Sequence, residues 1–251
     1  MTASSQLNIA HPSNTYNVVS LIEPTDSGYI HLAAEVDGRH PFLPMSQTKR
    51  ALINQCKAIC KELSQSSDVL SAVVFKALLI PPGQGEYLKQ RPDVHVARFD
   101  ISILIETSTV EAAKQMRTNE LFKELETHLR QTAKYTDVIT ASNARRIGPV
   151  DHKRDGVFLF NYFYADDVDQ NLAVWKYTAG WFEQETGLDN STLLLPENHE
   201  KSNYTVVNHC RWDHLIDIVP SLIFKPTFRT YVLGNFEANR TAPIPILYRL
   251  A

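Results

Sequence analysis

The chain has 251 residues, 43% of them hydrophobic and 21% charged, with a formal net charge of −3. This profile excludes a disordered or fibrous chain and gives enough length for one large domain or two small ones. No Lys/Arg run exceeds the pairs Lys49-Arg50 and Arg145-Arg146, so the concentrated basic face of a nucleic-acid binder is not expected.

The longest apolar stretches, Ser71 to Pro82 and Ile101 to Ile105, fall far short of the roughly 20 residues of a membrane span. The opening segment, residues 1–15, lacks the basic and apolar regions of a secretory signal and reads as a short disordered lead. The three cysteines, Cys56, Cys60 and Cys210, are too few and of odd number for a disulfide framework. They read as buried thiols in a reducing compartment, and a cytoplasmic location is expected.

In chain order, Tyr16 to Glu23 reads as a strand, with Val18, Val19, Leu21 and Ile22 ahead of Pro24. Tyr29 to Ala34 reads as a second short strand. Pro12, Pro41 and Pro44 make this region irregular. Ser46 is placed to cap a helix to about Ser64, whose Leu52, Ile53, Cys56, Ile59, Cys60 and Leu63 form one apolar stripe. Val69 to Ile80 reads as a strand stopped by Pro81-Pro82-Gly83, Gln84 to Asp93 as a polar connection, and Val94 to Glu106 as a long strand. Ser108-Thr-Val-Glu111 has the spacing of a capping box and opens a helix carrying Val110, Ala113, Met116, Leu121, Phe122, Leu125 and Leu129. Asp137 to Ile147 closes the set as a strand.

The charged stretch 150–156 reads as a linker, and the pattern then restarts. Val157 to Ala165 is an aromatic strand. Asp166 or Asp167 caps a helix that Gly187 ends near Thr186. Ser191 to Leu195 and Tyr204 to Trp212 read as strands. A helical region from His214 to Asn239 is interrupted at Pro220 and Pro226, and Pro245 to Leu250 is the last strand. The expected layout is therefore 16–149 and 157–251 as two βαββαβ halves. Arg98-Phe99-Asp100 and Arg211-Trp212-Asp213 echo one another at the third strand of each half, which points to duplication.

This order is ferredoxin-like. The aromatic opening strand, and the closing stretch from Phe228-Arg229-Thr230-Tyr231 to Pro245-Ile246-Leu247-Tyr248-Arg249-Leu250, resemble the dimeric α+β barrel superfamily. The resemblance implies an α+β fold: two ferredoxin-like βαββαβ halves with antiparallel sheets, paired into a barrel within one duplicated chain. A monomer acting as a pseudo-dimer, or a homodimer, is expected. Members include cofactor-independent monooxygenases, haem-degrading enzymes, haem proteins and ligand-sensing modules. Their ligands lie between sheet and helices or inside the barrel.

Strand alternation selects the candidate residues. On the opening strand of the second half, Val157, Leu159, Asn161 and Phe163 share one face, and Phe158, Phe160, Tyr162 and Tyr164 the other. Asn161 is then a lone amide among apolar side chains. In the resembling haem-degrading enzymes an Asn on the opening strand works with a Trp and a His. Asn161 matches only the Asn, so the triad is not carried over. On the next long strand Tyr204, Val206, Asn208, Cys210 and Trp212 share one face, and Thr205, Val207, His209 and Arg211 the other. His209 with Arg211 would suit a carboxylate or an enolate, or Arg211 and His209 could form a structural pair with Asp213 or Asp217.

The helix from Asp169 to Glu185 carries two aromatic stripes, Trp175 with Phe182 and Leu172, and Trp181 with Tyr177. These read as core or as the wall of a flat apolar pocket, with Glu183 or Glu185 as a base beside it. No nucleophile elbow, phosphate-binding loop or zinc-protease motif is present, so neither metal nor cofactor is expected.

The expected catalytic residues are His209, Arg211 and Asn161. The expected substrate-binding residues are Trp175, Trp181, Phe163, Asn208 and Trp212. The function they suggest is a metal-independent, monooxygenase-like enzyme on a small aromatic or polyketide-like molecule. A non-catalytic ligand-binding or assembly protein is the alternative, and haem binding through His209 a further one. An enclosed cavity of a few hundred Å³ with convergent polar groups separates enzyme from scaffold on roughly the scale usual for ligand sites.

Overall fold

The computed structural model describes residues 7–13, 15–39, 43–81 and 85–251. Among these residues there are eight strands: β1 (Gly28–Glu35), β2 (Val69–Leu79), β3 (Ile101–Thr107), β4 (Tyr135–Arg146), β5 (Val157–Ala165), β6 (Thr192–Pro196), β7 (Val206–Trp212) and β8 (Thr241–Leu250). Helices α1 (Gln47–Leu63), α2 (Glu86–Lys89), α3 (Val110–Met116) and α4 (Glu120–Thr132) belong to the first half. Helices α5 (Val168–Thr186), α6 (Leu215–Phe224) and α7 (Gly234–Ala238), with a π-helical turn at Phe228–Leu233, belong to the second.

The strands close into one antiparallel barrel in the order β1-β3-β2-β8-β5-β7-β6-β4. Each half contributes the same four-stranded sheet. In the first, β1 lies between β3 and β4, and β2 lies outside β3. In the second, β5 lies between β7 and β8, and β6 lies outside β7. The halves join at two equivalent seams, β2 with β8 and β4 with β6. Each seam pairs the second strand of one half with the last strand of the other. This is the dimeric α+β barrel fold built within one chain.

Strand alternation divides the core into three. The barrel interior is aromatic: Phe75, Phe158, Phe160, Tyr162 and Tyr248 meet inside it, with Phe99 at one end. Each such side chain contributes about 1.5–3 kcal/mol by leaving water. Outside the first half, Ile30, Leu32, Ile103 and Ile105 pack against α1 and α4. Outside the second, Leu159, Phe163, Val206 and Trp212 pack against α5 to α7.

Local chemistry sets the helix ends. Ser46 Oγ accepts from Lys49 N–H and starts α1. Asp167 caps α5, and Gly187, at φ +68°, ends it in the left-handed region that glycine tolerates.

Several elements differ from the sequence reading. Tyr16 to Glu23 is not a strand, and β1 at Gly28–Glu35 opens the first half instead. Apart from a single bridge, Ile22 with Arg146, this segment is a strap over the second-half helices. Its alternation reflects packing on helices, with Val19 buried and Val18 exposed. Gly180 of α5 makes the close approach possible: a Cβ there would lie 1.8 Å from Asn17 O. Of the expected disordered lead, Met1 to Gln6 lie outside the described residues. Asn8 and Ala10 are tied by their N–H groups to Asn239 and Asn235 side chains.

The expected strand from Val94 begins only at Ile101, because residues 94–99 leave the ladder and cover the barrel end with Ala97 and Phe99. Similarly, β7 begins at Val206, and Tyr204 turns inward to donate its hydroxyl to His95 O at 3.0 Å. Thr109, not Ser108, caps α3, accepting from Ala112 N–H, and Asn119 starts a separate α4. Pro220 sits inside α6 without breaking it, and the helix ends at Lys225, whose extended ψ is what a following proline imposes. The expected stop at Pro82-Gly83, and Pro41, lie outside the described residues.

Candidate functional site

The strand parity that fills the barrel also separates the candidate residues onto two sides of one sheet. Asn161 and Asn208 are cross-strand partners on β5 and β7, and both face the helix layer. There they meet Trp175, Thr178 and Phe182 of α5, Trp212 of β7, Phe163 of β5 and Phe236 of α7 around one small cavity. Phe163 and Phe236 pack with ring centroids 5.2 Å apart. Ser191 completes the polar side, donating to Asn208 Oδ1 at 2.6 Å. Thr178 spends its hydroxyl on the carbonyl of Val174, at 2.9 Å.

Asn161 is the exception in this pocket. Its Oδ1 is buried and accepts no hydrogen bond from any of the described residues. A buried acceptor without a donor typically costs about 1–3 kcal/mol, so its presence calls for a reason. The cavity beside it holds about 30 Å³, space for roughly one or two waters. The second-half aromatics therefore nearly fill the space, and the cavity of a few hundred Å³ expected of an enzyme is not open here.

Among the described residues no charged side chain lines this pocket. Burial pushes the Cys210 thiol far above its usual range, so it presents a neutral S–H. Glu183 is exposed, and Glu185 is engaged by Tyr16 Oη at 3.2 Å and by Lys225. Neither glutamate reaches the cavity. Trp181 does not line it either: its ring packs on Phe182 and Phe228, and its Nε1 donates to Thr227 at 2.9 Å. Trp175, Phe163, Asn208 and Trp212 do line it, with Asn161.

His209 and Arg211 lie on the opposite face. His209 is fully buried in the barrel, stacked on Phe160 with centroids 4.1 Å apart. Its Nδ1 lies 3.0 Å from Leu159 O and must carry the proton, so Nε2 accepts from His152 Nε2 at 2.8 Å. Burial, with His152 beside it, holds His209 well below the usual imidazole range. Burial likewise lowers His152 to about 4 and His31 to about 3.

Arg211 pairs with Asp213 at 2.8 Å and donates to the Asp155 carbonyl. Gly156 permits this, since a Cβ there would lie 2.7 Å from Arg211 Nε. Arg211 thus anchors the connection between the halves through Asp213 and Asp155, and His209 takes no part in that pair. His209 and Arg211 do not converge with Asn161.

Thr178, Ser191, Cys210 and Phe236 were missed as lining residues. Thr178 had a usable signal, three residues after Trp175 on the same helical stripe. Cys210 shares its strand face with Asn208. Phe236 reaches the pocket through a helix turn with no periodic signature.

The pocket does not fit haem. No imidazole lines it, the cysteine is a neutral thiol, and the remaining space is too small. His209 faces away from it. Among the described residues no group of three or more His, Cys, Asp and Glu side chains is placed to hold a metal ion. No helix among them is long and apolar enough to cross a membrane.

No family model and no curated protein matches this sequence. Solved structures do. An anthrone oxidase-like protein is 12% identical, with 92% of this chain and 94% of that one covered and a TM-score of 0.64. A Fusobacterium nucleatum protein carrying the name of a monooxygenase is 9% identical, with 90% and 92% covered and a TM-score of 0.56. At such identities the likeness shows the fold alone: this chain has the dimeric α+β barrel fold.

Proposed function

We propose that the second-half pocket binds a small planar aromatic molecule carrying a hydroxyl, and that the chain acts on it as a metal-independent, monooxygenase-like enzyme. The observation that carries this reading is the orphan Oδ1 of Asn161, set among aromatic side chains. A ligand hydroxyl would supply the missing donor, while Trp175 and Trp212 would flank the ring. With neutral groups around it, the protons the substrate loses must come from an acidic position of its own and pass to dioxygen, one oxygen atom entering the substrate and the other leaving as water. The amides of Asn161 and Asn208 would orient that substrate. Entry requires α5 and α7 to move outward, since the resting cavity is about 30 Å³.

A second reading, a ligand-binding protein without turnover, is favoured by the absence of any charged side chain in the lining. Anthrone, whose enol tautomer carries the required hydroxyl, separates the two. Titrated into the protein, it should quench tryptophan fluorescence, and Asn161→Ala should weaken it by about tenfold, the worth of one good hydrogen bond. Oxygen uptake with anthrone supports the enzyme; quenching without uptake supports the binder. No quenching in the native chain overturns both.

A further inference from the structure

The two seams of the barrel are equivalent in topology but not in finish. On one, β8 pairs with β2 only over Leu247–Leu250, which leaves residues 241–246 without a strand neighbour on that side. Two devices close that edge. Pro243 and Pro245 carry no N–H, so they offer the seam no donor. Pro81, Leu88, Val96 and Ala97, from the connection after β2, also cover it, and only about 40 Å³ of space remains there.

On the other seam, β4 pairs with β6 only over Ala141–Arg146, which leaves residues 135–140 in the same position. No proline interrupts this stretch. Its backbone direction follows from the neighbouring strands. Asp100 N–H donates to Ala34 O, so Ala34 turns its backbone groups toward β3. Thr136, its partner across β1 and β4, therefore turns its own away from β1. Thr140 confirms the phase: its N–H donates to Glu200 Oε1 and its carbonyl accepts from Glu197 N–H, both on the outer side at 2.9 Å. By alternation the N–H and C=O groups of Thr136 and Val138 point outward too. They have no hydrogen-bond partner among the described residues. The connection after β6 is short and stands off from them, leaving a cleft of about 580 Å³.

We infer that this β4 edge is a docking site for an extended peptide segment bearing acidic side chains, which adds to the barrel as a short strand. Thr136 to Thr140 spans about 13 Å, enough for four or five residues of an added strand. The outward groups of Thr136 and Val138 supply main-chain bonds of the ladder type. The acidic character follows from Lys201, which lines the cleft and makes no ion pair among the described residues, whereas the other lining cations Lys114, Arg117 and Arg130 already pair with Glu197, Glu200 and Glu126. Arg117, occupied by Glu200 at 2.7 Å, shows how a carboxylate is held on this wall.

The test is amide exchange followed residue by residue in the whole protein. Two capped hexapeptides serve as probes, one alternating threonine with glutamate, the other threonine with lysine. The glutamate peptide should slow exchange at Thr136 and Val138 while leaving Ile139 and Ala141, already bonded to β1, unchanged. The lysine peptide should bind about tenfold more weakly. Thr136→Pro copies the proline finish of the other seam at an outward-facing position. It should keep the circular dichroism spectrum and lose about tenfold in affinity for the glutamate peptide. Native-chain exchange needs no variant, so a Thr136→Pro chain that failed to fold would leave the test intact. No protection by the glutamate peptide, or equal protection by both peptides, overturns the inference. Protection that rises with protein concentration alone would assign the edge to a second copy of the chain and overturn it as well.

Discussion

The helix-facing sides of the two halves occupy equivalent places in one fold, and they are finished in opposite ways. In the first half Leu32 faces Ile103 across β1 and β3, among aliphatic side chains. In the second, Asn161 faces Asn208 across β5 and β7, among aromatic ones. The first half shows that the fold needs no amide at this place. A paired, partly orphaned amide in the second half is therefore a cost the fold does not require, and polar groups retained at such a cost mark sites of function.

Several changes would sharpen or break that contrast. The largest effect is expected from Leu32→Asn, which puts an amide into the aliphatic half. It should lose about 3–4 kcal/mol, from lost packing and an amide without partners, read as a lower urea midpoint. A loss no greater than that of a surface substitution would mean the two layers tolerate polarity alike.

Acid should act on the barrel interior that both halves share. His31, His152 and His209 have folded pKa values below the unfolded 6.5, so the unfolded chain binds more protons as pH falls below that value. Stability should then fall with falling pH, from about 6.5 down toward 4. Asp137 opposes this in part. Burial raises its carboxyl to about 6, so the folded chain holds that proton more tightly between about pH 4 and 6. A net uptake of about two protons on unfolding near pH 5 gives a slope of roughly 3 kcal/mol per pH unit. A flat urea midpoint from pH 7 to 5 would contradict neutral, buried histidines.

Gly180→Ala tests the strap that covers only the second half. The new Cβ would strike Asn17 O, and a cost of about 1–3 kcal/mol is expected, with faster amide exchange confined to residues 15–23. The smallest effect, and opposite in sign, is Asn161→Leu. Giving the second half the first half's residue should raise stability by about 1 kcal/mol and remove anthrone binding. A destabilised Asn161→Leu chain would return Asn161 to a structural role.

Much of this architecture was legible in the sequence. Helix caps at Ser46 and Asp167, the left-handed stop at Gly187 and the period-two pattern of β5 and β7 are local signals, and the structure keeps them. The strap is not legible in this way, because Val18, Val19, Leu21 and Ile22 alternate like a strand and nothing local says that their partner is a helix layer. Alternation also put Asn161 and Asn208 on one side each of their strands, and His209 and Arg211 on another. Which side meets the helices depends on barrel closure, a long-range property, so His209 and Asn161 could be grouped as one site only until the barrel was seen. The unequal finish of the seams was written in Pro243 and Pro245, but became readable only once β8 and β4 were known to be equivalent.

On the proposed function, the amide-bearing layer of the second half, and not the barrel interior or the first half, receives the ligand. The most direct measurement is a titration of isotope-labelled protein with 1-naphthol, following side-chain amide and indole resonances. The expected result is progressive shifts at the Asn161 and Asn208 amides and at the Trp175 and Trp212 indoles, with Leu32, Ile103 and the ring of His209 unmoved. Shifts centred on His209, or on the first-half layer, would contradict it.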